Sequence, residues 1–587
     1  MSLFTVVIVA YFSVNLIIAF WARRLHSRGQ EGFFLADRRL SPFVFFVSLA
    51  ATNFSAFTIF GFSGAGYRLG YAFYPLMAFG TGFMALSFVI IGLPLRKFAA
   101  ARGYITPADF IHDRYQSLLL KKAFSACLVI FMIPYLALQG MFAGKILHHF
   151  AGLPYELGCF VVLAVVTLYT ASGGMRSVAW TDVFQGFFIL ICVSLAFFIV
   201  VNAGGGFVAI QERVFSLSAT HFNRAGSNGS ISFSVHIGYI LLWFFSVPLF
   251  PQIFQRFYSA KDDKAILNAM CFYPLATTLL FFMTVAIGVM AVGILPTMSA
   301  SGSDEVMMAI AKFIPSPILS TLIIVGALAA LMSTLSSQLL SLSSIIVQDF
   351  LADRNHQLLH NRIVIVAISL SAFVISLHPP LTILGFLNKL SFQGFASCAP
   401  AVFLGLLWKR TTALGALIGL ALGVSVTFLG VMNLLPSGIP DIFFILSVGF
   451  GATILGSLFT TQATSWRFGN ISKTLAQLVH QTPTEEKAPR LKKITETFQT
   501  PLDSRFRGND HNKRSVAVAQ ESFSETISPL WWVIFGAILF WGCDFWHWGG
   551  NGGEFLFGLP RWLWHFFVLG GVMFLAFLAF SQKRPRH

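Results

Sequence analysis

Long apolar runs separated by short polar loops fill most of this chain. A bilayer crossing takes about 20 mostly apolar residues. Fifteen runs answer to that, at 3–22, 42–64, 72–95, 122–147, 156–172, 178–203, 234–254, 266–294, 316–341, 361–377, 381–407, 412–434, 439–459, 529–546 and 562–581. They predict an all-α integral membrane protein. The first run starts at residue 3 and has no A-x-A-like cleavage site, so it reads as a retained span and not as a cleaved signal peptide.

Two runs differ from the rest. The second, SLAATNFSAFTIFGFSGAGYRLG, turns small, polar and Gly-rich halfway along; the seventh, IGYILLWFFSVPLFPQIFQRF, is interrupted by Gly238, Pro248 and Pro251. They stand five spans apart. Paired interruptions in corresponding positions of two halves are the sequence mark of inverted repeats around a midplane site in a secondary transporter. Two ordinary kinked packing helices are the plainer reading, since Gly and Pro are common in membrane helices.

Residues 460–527 leave the pattern. They hold ten Lys or Arg, include TPTEEKAPRLKKITETFQTPLDSRFRGNDHNKRS, and show no sustained apolar periodicity. Such a segment is too poor in core residues to fold well alone. It is expected to be a cytoplasmic linker, with binding of a cytoplasmic partner as the sharper alternative. The chain then divides into a body at 1–459, the linker at 460–527, and an appendix at 528–587 with two Trp-rich spans and a basic tail.

Composition agrees with a membrane protein. Of 587 residues 56% are hydrophobic and 11% charged, against about 25% charged in a soluble domain. The net charge of +16 raises the question of nucleic acid, but its distribution answers it. With alternate loops labelled inside and outside from an external N-terminus, the inside loops and tail hold 32 of the 39 Lys and Arg. That is the positive-inside bias; it predicts an outside N-terminus and a cytoplasmic C-terminus, and it accounts for the charge without nucleic acid. The six cysteines lie in or beside spans, with no C-x-x-C pair and no Cys/His cluster, so disulfides and structural zinc are not expected.

A broken membrane helix frees backbone groups that are costly unless a cavity, water or an ion uses them. Freed carbonyls suit a hard cation, which prefers oxygen. The break in the second run would supply carbonyls from about Ala51 and Phe54. A second oxygen source lies in GALAALMSTLSSQLLSLSS, where seven of the twelve residues from Ser333 to Ser344 are Ser or Thr. Ala330, Ser333, Thr334 and Ser337 share one helical face. The Ala330 carbonyl keeps a lone pair beyond its helical bond. Together these groups make a neutral site suited to a monovalent cation such as Na⁺. Two readings stand level for the hydroxyls: ligands, or groups that back-bond to their own helix and allow close packing. Ser341, Ser343 and Ser344 belong with the second.

Four stretches carry a family resemblance: FFLADRRLSPFVFFVSLAATNFSAFTIFGFSGAGYRLG (Phe33 to Gly70), YTASGGMRSVAWTDVFQG (Tyr169 to Gly186), ALAALMSTLSSQLLSLSSIIVQDF (Ala327 to Phe350) and, more weakly, PADFIHDRY (Pro107 to Tyr115). In these the chain resembles the sodium/solute symporter family, which includes proline, pantothenate and sodium-glucose symporters. The resemblance implies a LeuT-like core of two inverted five-helix repeats, about 42–203 and 234–407, within about 13 spans, the last two spans being additional. It implies Na⁺ as coupling ion, held by backbone oxygens of Ala51, Phe54 and Ala330 and side-chain oxygens of Ser333 and Thr334. Asp182 matches an acid that in some relatives assists sodium near the cytoplasmic exit; a helix cap or a salt bridge with Arg176 explains it equally. Asn53 stands where the proline symporters have an acid and the sugar symporters an asparagine.

The substrate cavity is expected between spans 2, 4, 7 and 11, with Asn53, Ser55, Tyr135, Gln139, Trp243, Ser246 and Gln393 as candidates. An intramembrane polar group points to function by default, although each of these also serves as a bridge between helices. Lys389 is expected to snorkel to the surface. The function implied is Na⁺-coupled symport of a small organic solute into the cytoplasm across the cell (inner) membrane. The alternative is a sensor on the same fold that binds solute without accumulating it. No H-E-x-x-H, G-x-S-x-G or G-x-x-x-x-G-K-[ST] faces water, so an enzyme is not expected.

Overall fold

The computed structural model describes residues 3–24, 29–299, 302–351, 357–377, 387–460, 528–548 and 555–583. The described residues of Met1–Gln462 and Gly536–His587 form one compact unit. The expected linker lies outside the described residues except for Thr460.

Helices form where the apolar runs predict them. In chain order they are α1 (Leu3–Arg23), α2 (Pro42–Asn53), α3 (57–69), α4 (73–102), α5 (Leu118–Ala151), α6 (155–173), α7 (175–203), α8 (Phe233–Ser246) and α9 (Pro251–Ser259). After these come α10 (Asp263–Ile294), α11 (Pro317–Ile345), α12 (Gln357–Ser376), α13 (Lys389–Leu407), α14 (Ala413–Val431), α15 (Asp441–Leu458), α16 (Pro529–Gly542) and α17 (Arg561–Lys583). Many begin on a side-chain cap that satisfies an orphan N–H: Ser117 accepts from Leu120 N (3.2 Å), Ser232 from Val235 N (3.3 Å) and Asp262 from Ala265 N (3.0 Å).

Among the described residues eleven helices are long and apolar enough to cross a bilayer, or twelve with the bent pair Phe233–Leu249 and Pro251–Ser259 taken as one. This is fewer than the fifteen expected. Phe57–Arg102 and Tyr155–Ala203 each run on as one helical segment, of 46 and 49 residues, while Pro42–Asn53 and Pro529–Gly542 are short. Both long segments change direction at a glycine. Gly70 has φ 76° and Gly174 has φ 59° with ψ −151°. A Cβ at Gly70 would collide with the backbone of His221, and one at Gly174 with the carbonyl of Phe33, so glycine is required on both counts.

The second and seventh runs are broken, as expected; the prolines named for the seventh flank its break, whereas the glycines of both runs do not cause theirs. In the second, the helix stops at Asn53 and resumes at Phe57 with a π-helical turn through Gly61. The glycines of that run sit inside α3: Gly66 has no room for a Cβ against the Val285 backbone of α10. In the seventh, the chain bends 56° between α8 and α9, where Phe250 takes extended backbone between Pro248 and Pro251. Gly238 does not interrupt α8; it lies within the helix and admits the ring of Pro440. Small residues here buy close backbone approach.

Helices α2–α4, α10 and α11 form the buried centre, whereas α1, α12 and α14 present apolar side chains outward, such as Ile17, Leu370 and Leu422. The final helix packs on the centre. Phe567 of α17 meets Phe282 of α10 (ring centroids 4.7 Å) and Tyr74 of α4 (5.4 Å). Ahead of α17, Asp544 forms a fully buried ion pair with Arg224 (3.0 Å). That guanidinium is surrounded by the rings of Trp548, Trp562 and Phe566.

Candidate functional site

The break between α2 and α3 determines the site. In a continuous helix the carbonyls of Ala51 and Thr52 would accept from Ser55 N and Ala56 N. Instead Ser55 N donates to Asn53 O (3.2 Å), and Ala56 N donates to Oε1 of Gln139 on α5 (3.2 Å). Two carbonyls lose their helical donors, and two hydroxyls of α11 meet them. Ser333 Oγ donates to Ala51 O (2.9 Å) and Thr334 Oγ1 to Thr52 O (2.9 Å). Each hydroxyl also lies 3.1 Å from Ala330 O.

Five oxygens from two helices thus converge: three carbonyls and two hydroxyls, all uncharged, from fully buried or nearly buried residues. The cluster includes four of the expected groups (Ala51, Ala330, Ser333 and Thr334) and adds Thr52, which sequence reasoning missed. Phe54 stands at the end of α2 in non-helical backbone (φ −85°, ψ 81°), its N–H given to Ala50 O. Among the described residues neither hydroxyl bonds to it. The donor set fits a monovalent cation. A hydroxyl keeps two lone pairs, so each can turn from donating to a carbonyl to facing an ion that the same carbonyls face.

The remaining hydroxyls of α11 divide as the helical face predicts. Ser336, Ser341, Ser343 and Ser344 each bond back to a carbonyl three residues earlier. Ser337 turns toward α2 and lies 3.0 Å from Thr52 Oγ1.

Next to this cluster is a second, charged one. Asp182 of α7 accepts from Ser48 (2.8 Å) and Thr52 (3.2 Å) and pairs with Arg256 of α9, both charged groups being fully buried. Arg256 also donates to Thr52 and, at 2.8 Å, to Ser337. Of the alternatives weighed for Asp182, the salt bridge with Arg176 does not form. That arginine instead pairs with Asp37 (3.1 Å) in the loop before α2; six residues from Asp182 on the same helix, it lies on a different face. Thr52 joins the two clusters, with its carbonyl in the neutral one and its hydroxyl in the charged one. Ser48 and Thr52, four residues apart, are a sequence signal that was available. Arg256 was visible only as one basic residue just after the seventh run.

The cavity candidates sort into two groups. Ser55, Tyr135 and Gln139 complete the helix break. Tyr135 Oη donates to Ser55 Oγ (3.0 Å), Ser55 Oγ accepts from Phe57 N (3.2 Å), and Gln139 Nε2 donates to Tyr135 O (3.2 Å). Asn53 donates to the hydroxyl of Tyr273 on α10. Trp243 Nε1, Ser246 Oγ and Gln393 Oε1 are buried polar atoms with no partner among the described residues. Around them is an aromatic cluster that sequence reasoning missed. Phe392 lies 5.2 Å from both Phe57 and Trp243, 5.3 Å from Tyr135 and 5.5 Å from Phe250 between ring centroids. It joins the two broken helices to α5 and α13. Lys389, at the start of α13, reaches the exposed Asn433.

The chain is 28% identical over 473 residues to the sodium/pantothenate symporter of Escherichia coli (strain K12), covering 77% of this chain and 96% of that one. It is 27% identical over 486 residues to the high-affinity proline transporter of Bacillus subtilis (strain 168), covering 79% and 100%. Its fold matches that of a Na⁺-coupled sialic acid symporter solved in a substrate-bound outward-open state. The TM-score is 0.66 at 18% identity, over 79% of this chain and 99% of that one. The fold is thus the LeuT-like one that the family resemblance implies. The profile of the sodium:solute symporter family matches residues 33–423, and this chain belongs to that family of sodium-coupled solute symporters.

Proposed function

We propose that this protein imports a small organic solute across the cell (inner) membrane by symport with Na⁺, with its N-terminus outside and its C-terminus in the cytoplasm. Na⁺ is held by the carbonyls of Ala51, Thr52 and Ala330 and the hydroxyls of Ser333 and Thr334, with Phe54 at the end of α2 as a further backbone oxygen. The observation that carries this reading is the matched vacancy at the break: two carbonyls without helical donors, met at 2.9 Å by two hydroxyls of α11. Solute binds beside it, against Trp243, Ser246 and Gln393, whose polar atoms have no partner among the described residues, and near Asn53. Ser55, Tyr135 and Gln139 line that side and hold the break open.

Linkage gives the mechanism. Na⁺ joins α2 to α11 and orders the break, so solute binds more tightly; reciprocity requires solute to tighten Na⁺. Rocking of the repeats 42–203 and 234–407 then opens the site to the cytoplasm. Asp182, tied through Thr52 to the neutral cluster, lies on the route by which Na⁺ leaves, and Arg256 must release it for the ion to pass. No enzymatic step belongs to this reading. Residues 1–459 are the symporter body, 460–527 the linker and 528–587 the appended helices.

The test is uptake of a panel of labelled solutes into proteoliposomes, with and without an inward Na⁺ gradient. Accumulation of at least one solute only with the gradient is expected. Binding without accumulation would put the sensor reading in its place.

A further inference from the structure

A groove of about 560 Å³ runs along the outer face of the body between α6 and α12. This lies within the roughly 300–1,000 Å³ of small-molecule sites. None of its lining residues belongs to the helix break or to the charged cluster beside it. One end holds Arg23, at the close of α1, and Arg362, in the second turn of α12. Arg362 gives its Nε–H to Ala171 O (3.1 Å), and both arginines are exposed. Neither forms an ion pair among the described residues. The rest of the groove is apolar, with Leu168 and Leu370 each 52% exposed on its walls. Its polar wall atoms are spoken for: Thr167 donates to Ser369 (2.7 Å). The rings of Phe160 and Phe373, 5.8 Å apart, close the far end.

The dimensions match one leaflet. From Phe160 to Ala171, or from Arg362 to Phe373, a helix rises roughly 16–17 Å at 1.5 Å per residue. Half of an approximately 30 Å hydrocarbon core is about 15 Å. A trough of that length, apolar along its walls and headed by two unpaired arginines, is complementary to one molecule with apolar tails and an anionic head. Basic pockets between membrane helices on the cytoplasmic side recognise such headgroups.

We infer that this groove is a binding site for an anionic glycerophospholipid of the leaflet that faces the arginines, its phosphate held by Arg23 and Arg362 and an acyl chain lying along α6 and α12. The leaflet is the cytoplasmic one on the orientation proposed above, but the binding claim does not depend on Na⁺, on solute or on that orientation. A lipid there would join α12, at the edge of the core, to α1, outside it.

Native mass spectrometry of the delipidated full chain tests this, with dioleoyl phosphatidylglycerol or dioleoyl phosphatidylcholine added. The first lipid bound should favour phosphatidylglycerol by about 25-fold, about fivefold for each arginine. Arg23→Gln/Arg362→Gln should abolish the preference. Val366→Trp, which fills the groove and leaves the charges, should reduce retention of that first lipid. Lys409→Gln/Arg410→Gln, another basic pair, should leave the preference unchanged. Equal retention of the two lipids by the native chain would overturn the proposal. So would a preference that survives the double arginine substitution, or one lost as much in the Lys409/Arg410 control. A dimer that disappears on Val366→Trp would seat a second copy of this chain in the groove instead.

Discussion

Gln139 offers the sharpest perturbation of the neutral oxygen cluster without touching a proposed Na⁺ ligand. Its Oε1 accepts the Ala56 N–H, which a continuous helix would give to Thr52 O. Gln139→Leu removes that acceptor. Either Ala56 N–H stays buried and unpaired, at about 1–3 kcal/mol, or it turns back to Thr52 O and takes an oxygen from the ion. Both outcomes disfavour the Na⁺-bound arrangement by a similar amount, so Na⁺ should bind about 5- to 150-fold more weakly. Gln139→Glu keeps an acceptor oxygen and should lie closer to the native protein. The assay needs no known solute. A ligand that binds only the folded state stabilises it by RT ln(1 + [L]/Kd). Thermal unfolding is therefore followed while NaCl replaces choline chloride at constant total salt. The Kd for Na⁺ fitted to that dependence should rise in Gln139→Leu. A fitted Kd equal to the native one would refute the claim that Gln139 keeps the Thr52 carbonyl free.

Other expectations follow from packing and topology. Asp544→Ala should leave the buried Arg224 charge without its partner and destabilise the body by ~3–5 kcal/mol in thermal unfolding; Arg224→Met/Asp544→Leu should recover most of that loss. Burial already lowers the Arg224 guanidinium to about 10, against the pull of Asp544. Gly174→Ala combines a positive φ with a clash against Phe33 O, so folded yield in size-exclusion chromatography should fall sharply, whereas Gly571→Ala, in open space, should match the native chain. A cysteine at Ser504 in a cysteine-free background should react with an impermeant maleimide only from the cytoplasmic side; labelling from outside would reverse the proposed orientation.

Much of this was legible in the sequence because it depends on short-range geometry. The hydroxyls of α11 fall on faces set by spacing alone, so Ser333 and Thr334 could be separated from Ser341, Ser343 and Ser344 before any fold was known. The two broken runs were also visible, and Pro248 and Pro251 do flank the second break, but what breaks the first was misread. Glycine was taken as the agent there, yet the break at Phe54–Ala56 contains none. It is sustained by side chains, above all Gln139, which lies 83 positions from the N–H it accepts. The glycines of that run serve helix contact instead. For Asp182 a salt bridge with Arg176 was one of the alternatives weighed; six residues away on the same helix, Arg176 lies on a different face, and the partner found, Arg256, is 74 positions away in sequence. Phe392 gave no signal among 66 phenylalanines. Groups that meet through tertiary packing, and not through helical spacing, are the ones that sequence alone could not pair.

The central claim is that the hydroxyls of α11 and the freed carbonyls of α2 hold the coupling ion. Equilibrium binding of radiolabelled Na⁺ to the purified chain tests it most directly, comparing the native protein with Ser333→Ala/Thr334→Ala. Saturable binding that disappears in the double variant, while the variant keeps its native elution profile and helical content, is the predicted result. Undiminished Na⁺ binding in that variant would show that these hydroxyls only pack α11 against α2 and that the ion sits elsewhere.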